Sequence, residues 1–478
     1  MHKTRVIEST LGYPQNNRTE SEGYEGVQTY MDMKDGSLIA VQPSKDDLMS
    51  QLLSPENLNR AYLQVVRNKG VGGVDKMDFK QLLPYLREHK AELIESIRNG
   101  RYTPNPVRRV EIPKDNGKKR LLGIPTVVDR LVQQAIAQVL SPVYERQFSQ
   151  SSFGFRPKRN AHGALFQVCR YASEGYKYAV CIDLAGFFDT VNHSFLLRIL
   201  SRTIKDGRVI SLIHKYLSSG VMIGKHYEPS MEGTPQGGPL SPLLSNILLN
   251  ELDKELERRG HRFVRYADDS LILCKSKRSA ERVCSSITEF VEKELHLIVN
   301  RDKTELGYIR GLQYLGYSFY FTKGKCRLCV PVKTKEKFKR KVKSLTGRSN
   351  GLGYAQRKEI LWQTFRGWIE YFKYADMKSL LIPLDQWYRR RLRMCIWKCW
   401  KRVKTRFANL QKCGIPKGKA WEWANTRKGY WRCTRAFLQN AIEDESLRKA
   451  GYPMLSHLYK QMHIDCETAV CGTACTVV

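Results

Sequence analysis

The sequence predicts an α+β chain of several domains, with short strands in its middle and helices toward its C-terminus. Three observations predict it. Phe263-Val264-Arg265-Tyr266 and Ser270-Leu271-Ile272-Leu273-Cys274 are short apolar runs on either side of Ala267-Asp268-Asp269, the pattern of two strands joined by a tight turn. Ala179 to Ile182 is a further apolar run, of the length of a buried strand. Past Phe321 the apolar residues recur at helical spacing among many basic ones. At 478 residues the chain is too long for one core, and about two to four domains are expected.

Side chains alternate faces along a strand, so a turn is where neighbours such as Asp268 and Asp269 can converge. Two acids that close repel each other unless a cation sits between them. Alone, the pair is either a solvated Asp-Asp turn or half of a metal site. Asp183, at the end of the Ala179–Ile182 run, supplies a third carboxylate. Acids at strand ends in two segments can hold two Mg²⁺ ions, one activating an attacking oxygen and one a leaving oxygen in phosphoryl transfer.

Arg265-Tyr266-Ala267-Asp268-Asp269, Asp183 to Asp189, and Gly233-Thr234-Pro235-Gln236-Gly237-Gly238-Pro239-Leu240-Ser241-Pro242 stand in an order and spacing that resemble the reverse transcriptases encoded by bacterial group II introns. The resemblance runs from about Asp47 to about Lys460. It implies a right-hand polymerase: fingers and palm, a helical thumb, a helical N-terminal extension and a small helical C-terminal DNA-binding domain. It also implies that Asp183, Asp268 and Asp269 are catalytic and hold two Mg²⁺, with the carbonyl of Leu184 completing one shell.

The elements follow in order. Residues 1–45 are polar and aperiodic, expected to be a flexible leader. Leu48, Leu52 and Leu53 begin a helical texture, and Ser54-Pro55 caps a second helix carrying Leu58, Tyr62, Val65 and Val66. Asn68 to Asp75 is a Gly-rich loop. Residues 46–105 resemble the family's N-terminal extension and the start of the fingers, which helps clasp the template. Val107–Pro113 and Lys118–Ile124 form a hairpin around Asp115-Asn116-Gly117. It looks like the fingers hairpin over the incoming nucleotide, with Lys114 and Arg120 on the triphosphate. Val128 to Tyr144 is helical. Ser152 to Pro157 resembles the second family motif, with Arg156 touching the template strand. Phe188 lies where the family carries the bulky residue beneath the sugar, and Phe187 is expected in the core. Gln236 hydrogen-bonds near the nucleotide, and Gly237 lets the backbone approach it. Leu295 to Lys303 resembles the sixth motif, with Asn300 and Lys303 facing the site and Lys303 on a phosphate or at the metal edge. Gln313-Tyr314-Leu315-Gly316-Tyr317 looks like the primer-grip strand. Residues 106–320 thus make up fingers and palm.

The net charge of +34 points to a polyanionic partner. Tyr320 to Arg435 holds 32 Lys and Arg against 6 Asp and Glu, and all 8 Trp fall there. Basic residues among aromatics suit backbone neutralisation with base stacking, although many of those Trp must anchor helices. Asp385 to Leu410 reads as one thumb-like helix, with Leu392, Ile396, Trp400, Val403, Phe407 and Leu410 inside. Its flanking Arg389, Arg390 and Arg393 are expected on intron RNA, in a thumb or maturase domain over 321–410. Residues 411–465 resemble the DNA-binding domain, and 466–478 form a tail.

The 13 Cys are scattered and odd in number, with no secretory signal, which points to a reducing cytoplasm; the resemblance implies a bacterial one, at the nucleoid. Cys326-Arg327-Leu328-Cys329 and the Cys395/Cys399 pair are zinc candidates or small core residues. No apolar run approaches a membrane span. Cys466, Cys471 and Cys475 lack the spacing of the HNH endonuclease of many relatives, so the compact type without it is expected. The implied function is RNA-directed DNA polymerisation from deoxynucleotides on an RNA template with a DNA or RNA primer. Maturase binding of intron RNA for splicing, and mobility into target DNA, go with it. A splicing cofactor without polymerisation, and a relative domesticated for defence or repair, are the alternatives.

Overall fold

The computed structural model describes residues 31–34, 37–40, 48–113, 117, 119–347 and 349–463. Most of the expected leader, Lys114 with the Asp115-Asn116 part of the fingers turn, and the tail with Cys466, Cys471 and Cys475 lie outside them. Within the leader span, β1 (Met31–Lys34) and β2 (Ser37–Ala40) pair antiparallel.

Helices α1 (Leu48–Leu52) and α2 (Pro55–Arg67) form as their signals predict. The Ser54 hydroxyl accepts the Asn57 N–H at 3.3 Å, and Pro55 opens the helix. A capping box, Asp78 with Gln81, leads into α3 (Leu82–Arg98). The fingers hairpin is β3 (Val107–Pro113) with β4 (Lys119–Ile124), followed by the buried α4 (Val127–Glu145). Then come α5 (Ala161–Ser173), β5 (Tyr178–Ile182), α6 (His193–Thr203), α7 (Gly207–Leu217), β6 (Val221–Ile223) and β7 (His226–Glu228). After α8 (Ser241–Arg258), β8 (Arg262–Tyr266) and β9 (Asp269–Cys274) make the expected hairpin. Next are α9 (Lys277–Lys293), β10 (Glu305–Tyr308), β11 (Gln313–Tyr314), β12 (Tyr317–Thr322) and β13 (Lys325–Cys329).

The central sheet is antiparallel, in the order β10-β5-β9-β8. It is covered on both faces, and its residues alternate between two cores. Val180, Ile182, Phe263 and Ile272 join a core with α4, α6, α7, α8 and α9. Ala179, Val264, Leu271 and Leu273 join a second core with α5 and the C-terminal helices. With both faces buried, polar groups can emerge only at the strand ends. A fingers sheet (β4-β3-β6-β7) and a three-stranded sheet (β11-β12-β13) flank it.

The C-terminal helices are α10 (Val332–Leu345), α11 (Tyr354–Phe372), α12 (Lys378–Cys399), α13 (Val403–Lys412), α14 (Lys417–Ala424), α15 (Tyr430–Ala436), α16 (Leu438–Ala441), α17 (Asp444–Lys449) and α18 (Leu455–Met462). The single helix expected over Asp385–Leu410 is two. Trp400 leaves the helical conformation (φ −80°, ψ 69°), and Arg406 Nε donates to its carbonyl at 2.9 Å, bracing the corner. Trp397 is core, and Trp368 stacks on Phe338 with centroids 4.4 Å apart. Cys326 is likewise core, and the Cys395 thiol donates to the Thr346 carbonyl. Asp385, 1% exposed, accepts the backbone N–H groups of Leu455 and Ser456 at 2.9 Å each, capping α18.

The three arginines assigned to intron RNA are not a free surface. Arg393 is 5% exposed; its Nε donates to the Ile442 carbonyl at 2.7 Å, and it meets Asp444 at 2.6 Å. Arg389 Nε reaches the same Asp444 oxygen at 2.8 Å. Arg390 donates to Thr434 Oγ1 at 2.9 Å and lies 3.8 Å over the Trp431 ring. These side chains clamp α12 to α15, α16 and α17, since a guanidinium whose donors meet fixed internal acceptors has few left for phosphate. The solvated charge lies elsewhere, as on α10, whose Lys333, Arg340, Lys341 and Lys343 are exposed.

Arg393→Ala removes charge-assisted bonds worth about 2 kcal/mol. It should lower the melting temperature and open residues 411–463 to limited proteolysis. A variant as stable and protease-resistant as the parent would show that the clamp carries no load.

Candidate active site

Asp183 follows the last residue of β5. The chain beyond it pairs with a second segment: Asn300 N–H donates to the Asp183 carbonyl and Ala185 N–H to the Ile298 carbonyl, both at 2.8 Å. These bonds bracket an antiparallel Leu184–Val299 bridge. In such a non-hydrogen-bonded pair, the N–H and C=O of Leu184 point away from Val299. The turn after Asn300 returns Lys303, whose ammonium stands 3.2 Å from Asp183 Oδ2.

Asp268 sits in the β8–β9 turn, and Asp269 begins β9 opposite Tyr266. Ile182 pairs with Ser270, so Asp183 and Asp269 are the next positions on adjacent strands. The turn bends at Ala267 (φ 56°), a left-handed conformation unusual for alanine. Two features hold it. Arg265, wholly buried, donates to both oxygens of the equally buried Asp253 (2.7 and 2.5 Å), to Asn246 Oδ1 (3.0 Å) and to the Ala267 carbonyl (2.9 Å). Gly154 packs so closely that a Cβ there would collide with Ala267 N. On the other side, the Tyr314 hydroxyl donates toward the Val264 carbonyl (3.2 Å) and the Asp269 carbonyl (3.3 Å). The expected primer-grip strand is therefore a hairpin, β11 turning through Leu315 (φ 48°) and Gly316 (φ 75°) into β12.

Burial pushes the Asp268 carboxyl above its ordinary range, and the neighbouring Asp183 adds to the rise; Arg120 opposes it. Burial likewise raises Asp253, against the pull of Arg265. Among the described residues no three acid, His or Cys side chains close around one point. The donors still suit a hard dication: two mutually repelling carboxylates at adjacent strand ends, with the Lys303 cation already drawn to one of them.

A cleft of 430 Å³ opens beside the turn, lined by Asp268, Asp269, Tyr266, Phe188, Arg120, Gln236 and Gly237 among others. Phe187 is core and Phe188 half-buried at the cleft, their rings 5.3 Å apart. Arg120 Nε donates to Gln236 Oε1 at 3.1 Å. A Cβ on Gly237 (φ 129°) would stand 2.7 Å from the Gly123 carbonyl, so its closest approach is to the fingers strand. The N-terminal extension also reaches the cleft, through Asn68 and Gly70.

Arg156 does not touch the cleft. It is 3% exposed, ion-paired to Glu145 at 2.7 Å and donating to the Ser152 carbonyl at 2.9 Å. It ties the end of α4 to the next turn, which corrects the expectation of a template contact. Three residues went unassigned from the sequence: Arg130, which lines the cleft, and the Arg265–Asp253 pair. One signal for the pair was available. Asp253 lies four residues after Leu249 and three before Leu256, on the apolar stripe of α8, and a charge there needs a buried partner.

Removing one member of the buried pair strands the other charge. Asp253→Asn should cost about 3–5 kcal/mol and lower the melting temperature even with Asp183, Asp268 and Asp269 intact; an unchanged melt would deny the pair its role. Asp268→Asn should do the opposite in chelator. The folded carboxyl titrates above its unfolded value of 3.8, so its charge penalises the fold at neutral pH and the penalty vanishes as pH falls below that value. The variant should melt at or above the parent at pH 7, with the gap closing in acid. A variant less stable at pH 7 would contradict this.

Family models place these features in context. A model described as reverse transcriptase (RNA-dependent DNA polymerase) matches residues 112–319, and one described as group II intron, maturase-specific domain matches residues 335–414. Protein YkfC of Escherichia coli is 31% identical over 56% of this chain and 82% of its own length. The group II intron-encoded protein LtrA of Lactococcus lactis is 30% identical over 56% of each chain, so the match spans little more than half of that relative. A putative COX1/OXI3 intron 2 protein of Saccharomyces cerevisiae is 28% identical over 48% of this chain and 34% of its own. With its acids at the strand ends of an antiparallel sheet and both family regions in order, the chain belongs to the reverse transcriptase/maturase proteins of group II introns, which are RNA-directed DNA polymerases.

Proposed function

We propose that the cleft beside Asp268 extends a primer on an RNA template with deoxynucleotides, and that Asp183, Asp268 and Asp269 would hold two Mg²⁺ ions there. The observation that carries this is the meeting of Asp183 with the Asp268–Asp269 turn at the ends of adjacent strands, beside a cleft also lined by Arg120 and Arg130. Bound divalent ions would supply the charge that lets a primer hydroxyl attack the α-phosphate and pyrophosphate leave. The chain's own groups orient the reactants. Arg120, fixed by Gln236, presents a guanidinium to the triphosphate. Phe188 stands where a bulky ring excludes a 2′-hydroxyl. Lys303, 3.2 Å from Asp183, is a donor to a phosphate oxygen once that carboxylate turns to a metal. Leu184, with its carbonyl turned from Val299, is a further oxygen ligand.

We infer the maturase role on intron RNA, with target DNA as the partner in mobility, and assign the RNA surface to exposed lysines such as those of α10. We divide the chain into extension (46–105), fingers and palm (106–320), thumb (321–410) and C-terminal domain (411–465). Among the described residues no helix is long and apolar enough to cross a membrane. A nucleic-acid enzyme of this kind would work in the bacterial cytoplasm at the nucleoid.

Primer extension on an RNA template with Mg²⁺ tests the assignment. Asp268→Asn should lose on the order of a thousandfold in rate, while gel shifts show intron RNA bound as before. Near-parental extension would sink the assignment. Loss of RNA binding in the folded variant would mean that synthesis and RNA recognition are not separate.

A further inference from the structure

The turn that carries Phe188 is held by contacts outside the cleft. Phe187–Asp189 is a single 3₁₀ turn entered through Gly186 (φ 59°). A turn this short has no register of its own. Its outer side rests on the loop that begins at Gly233. Thr234 N–H donates to the Phe188 carbonyl at 2.6 Å, and Gly233 N–H to the Val191 carbonyl at 2.8 Å. Gly233 has φ 88°, and a Cβ there would stand 2.8 Å from the Phe188 carbonyl oxygen and 3.0 Å from that of Asp189. Only glycine permits this approach.

Gly233 is itself tethered. His193, 7% exposed at the first position of α6, places Nε2 2.6 Å from the Gly233 carbonyl. A carbonyl only accepts, so Nε2 carries the proton. The same loop continues to Gln236, which holds Arg120. One chain of bonds therefore runs from α6 through Gly233 to the backbone of Phe188.

We infer that His193, acting through Gly233, is a positioning residue for sugar selection: it sets the height of the Phe188 ring and hence the clash with a 2′-hydroxyl. This rests on the reading of Phe188 as the sugar gate. A ring displaced by a fraction of an ångström admits the extra oxygen without losing deoxynucleotide binding. His193 should thus govern the ratio of deoxy- to ribonucleotide use more than the rate with deoxynucleotides.

The test is kcat/KM for one deoxynucleotide and its ribonucleotide on an RNA template. It uses the full chain, Phe188→Ala, His193→Ala, His193→Gln, Gly233→Ala and the His193→Ala/Phe188→Ala double variant. Phe188→Ala should lower discrimination on the order of tenfold or more. His193→Ala should lower it in the same direction with deoxynucleotide kcat changed only a few-fold. His193→Gln, whose amide can donate from nearly the same point, should restore it. The double variant should match Phe188→Ala, because the histidine acts only through the ring. Gly233→Ala should relax selection as well, and it decides the matter alone if His193→Ala does not fold. If Phe188→Ala leaves the ratio unchanged, the gate reading fails and this inference falls with it. If Phe188→Ala relaxes the ratio but His193→Ala and Gly233→Ala do not, or if the two effects add, the gate stands and the positioning role is overturned.

Discussion

A turn that presents adjacent carboxylates to solvent has to be held from behind, and here that is done by the buried ion pair of Arg265 and Asp253. The guanidinium has its carboxylate partner, an amide oxygen and the carbonyl of Ala267 as acceptors. Two buried charges seldom add net stability over a well-packed apolar pair. What this pair supplies is placement: it fixes the strained residue before Asp268 and orders the turn without using a side chain from the cleft. Gly154 completes the arrangement by letting a second backbone lie flat against it.

The rest of the cleft follows from the sheet being covered on both faces. Apolar residues of β5, β8 and β9 alternate between two cores, which leaves only strand ends for acids. Asp183 is met there by the 298–304 segment, which pairs with the chain past β5 and returns Lys303 to the carboxylate. The loop from Gly233 to Gly238 touches the fingers strand at Gly123 and the Phe188 carbonyl at its other end. Arg120 on β4 and the turn that carries Phe188 are thus mechanically joined by one glycine-rich segment.

The C-terminal half shows that net charge and accessible charge are different quantities. Arg389, Arg390 and Arg393 belong to the most basic stretch of the chain, yet all three fasten α12 to the helices after it. Asp385, one of the few acids in that stretch, caps α18 from the interior. The last helices therefore share the second core with the thumb. The segment that resembles the family's small DNA-binding domain thus packs on the thumb helices through a common apolar core.

The sequence by itself determined the α+β class, the strand–turn–strand around Asp268, the helix capped at Ser54, and the acids at the ends of two apolar runs, Asp183 and Asp268–Asp269. Each rests on local pattern: period-2 runs, caps, turn residues and the spacing of short motifs. Only the tertiary structure decided which cations are free. Arg156 and Arg393 look like surface charge in a linear reading, because nothing local marks Glu145, Ser152, Ile442 or Asp444 as their partners. The break at Trp400 was hidden for a related reason, since apolar spacing continues at helical period across a corner that Arg406 braces. A side chain's acceptors come from segments distant in sequence, so its identity is written locally while its availability is settled by what folds against it.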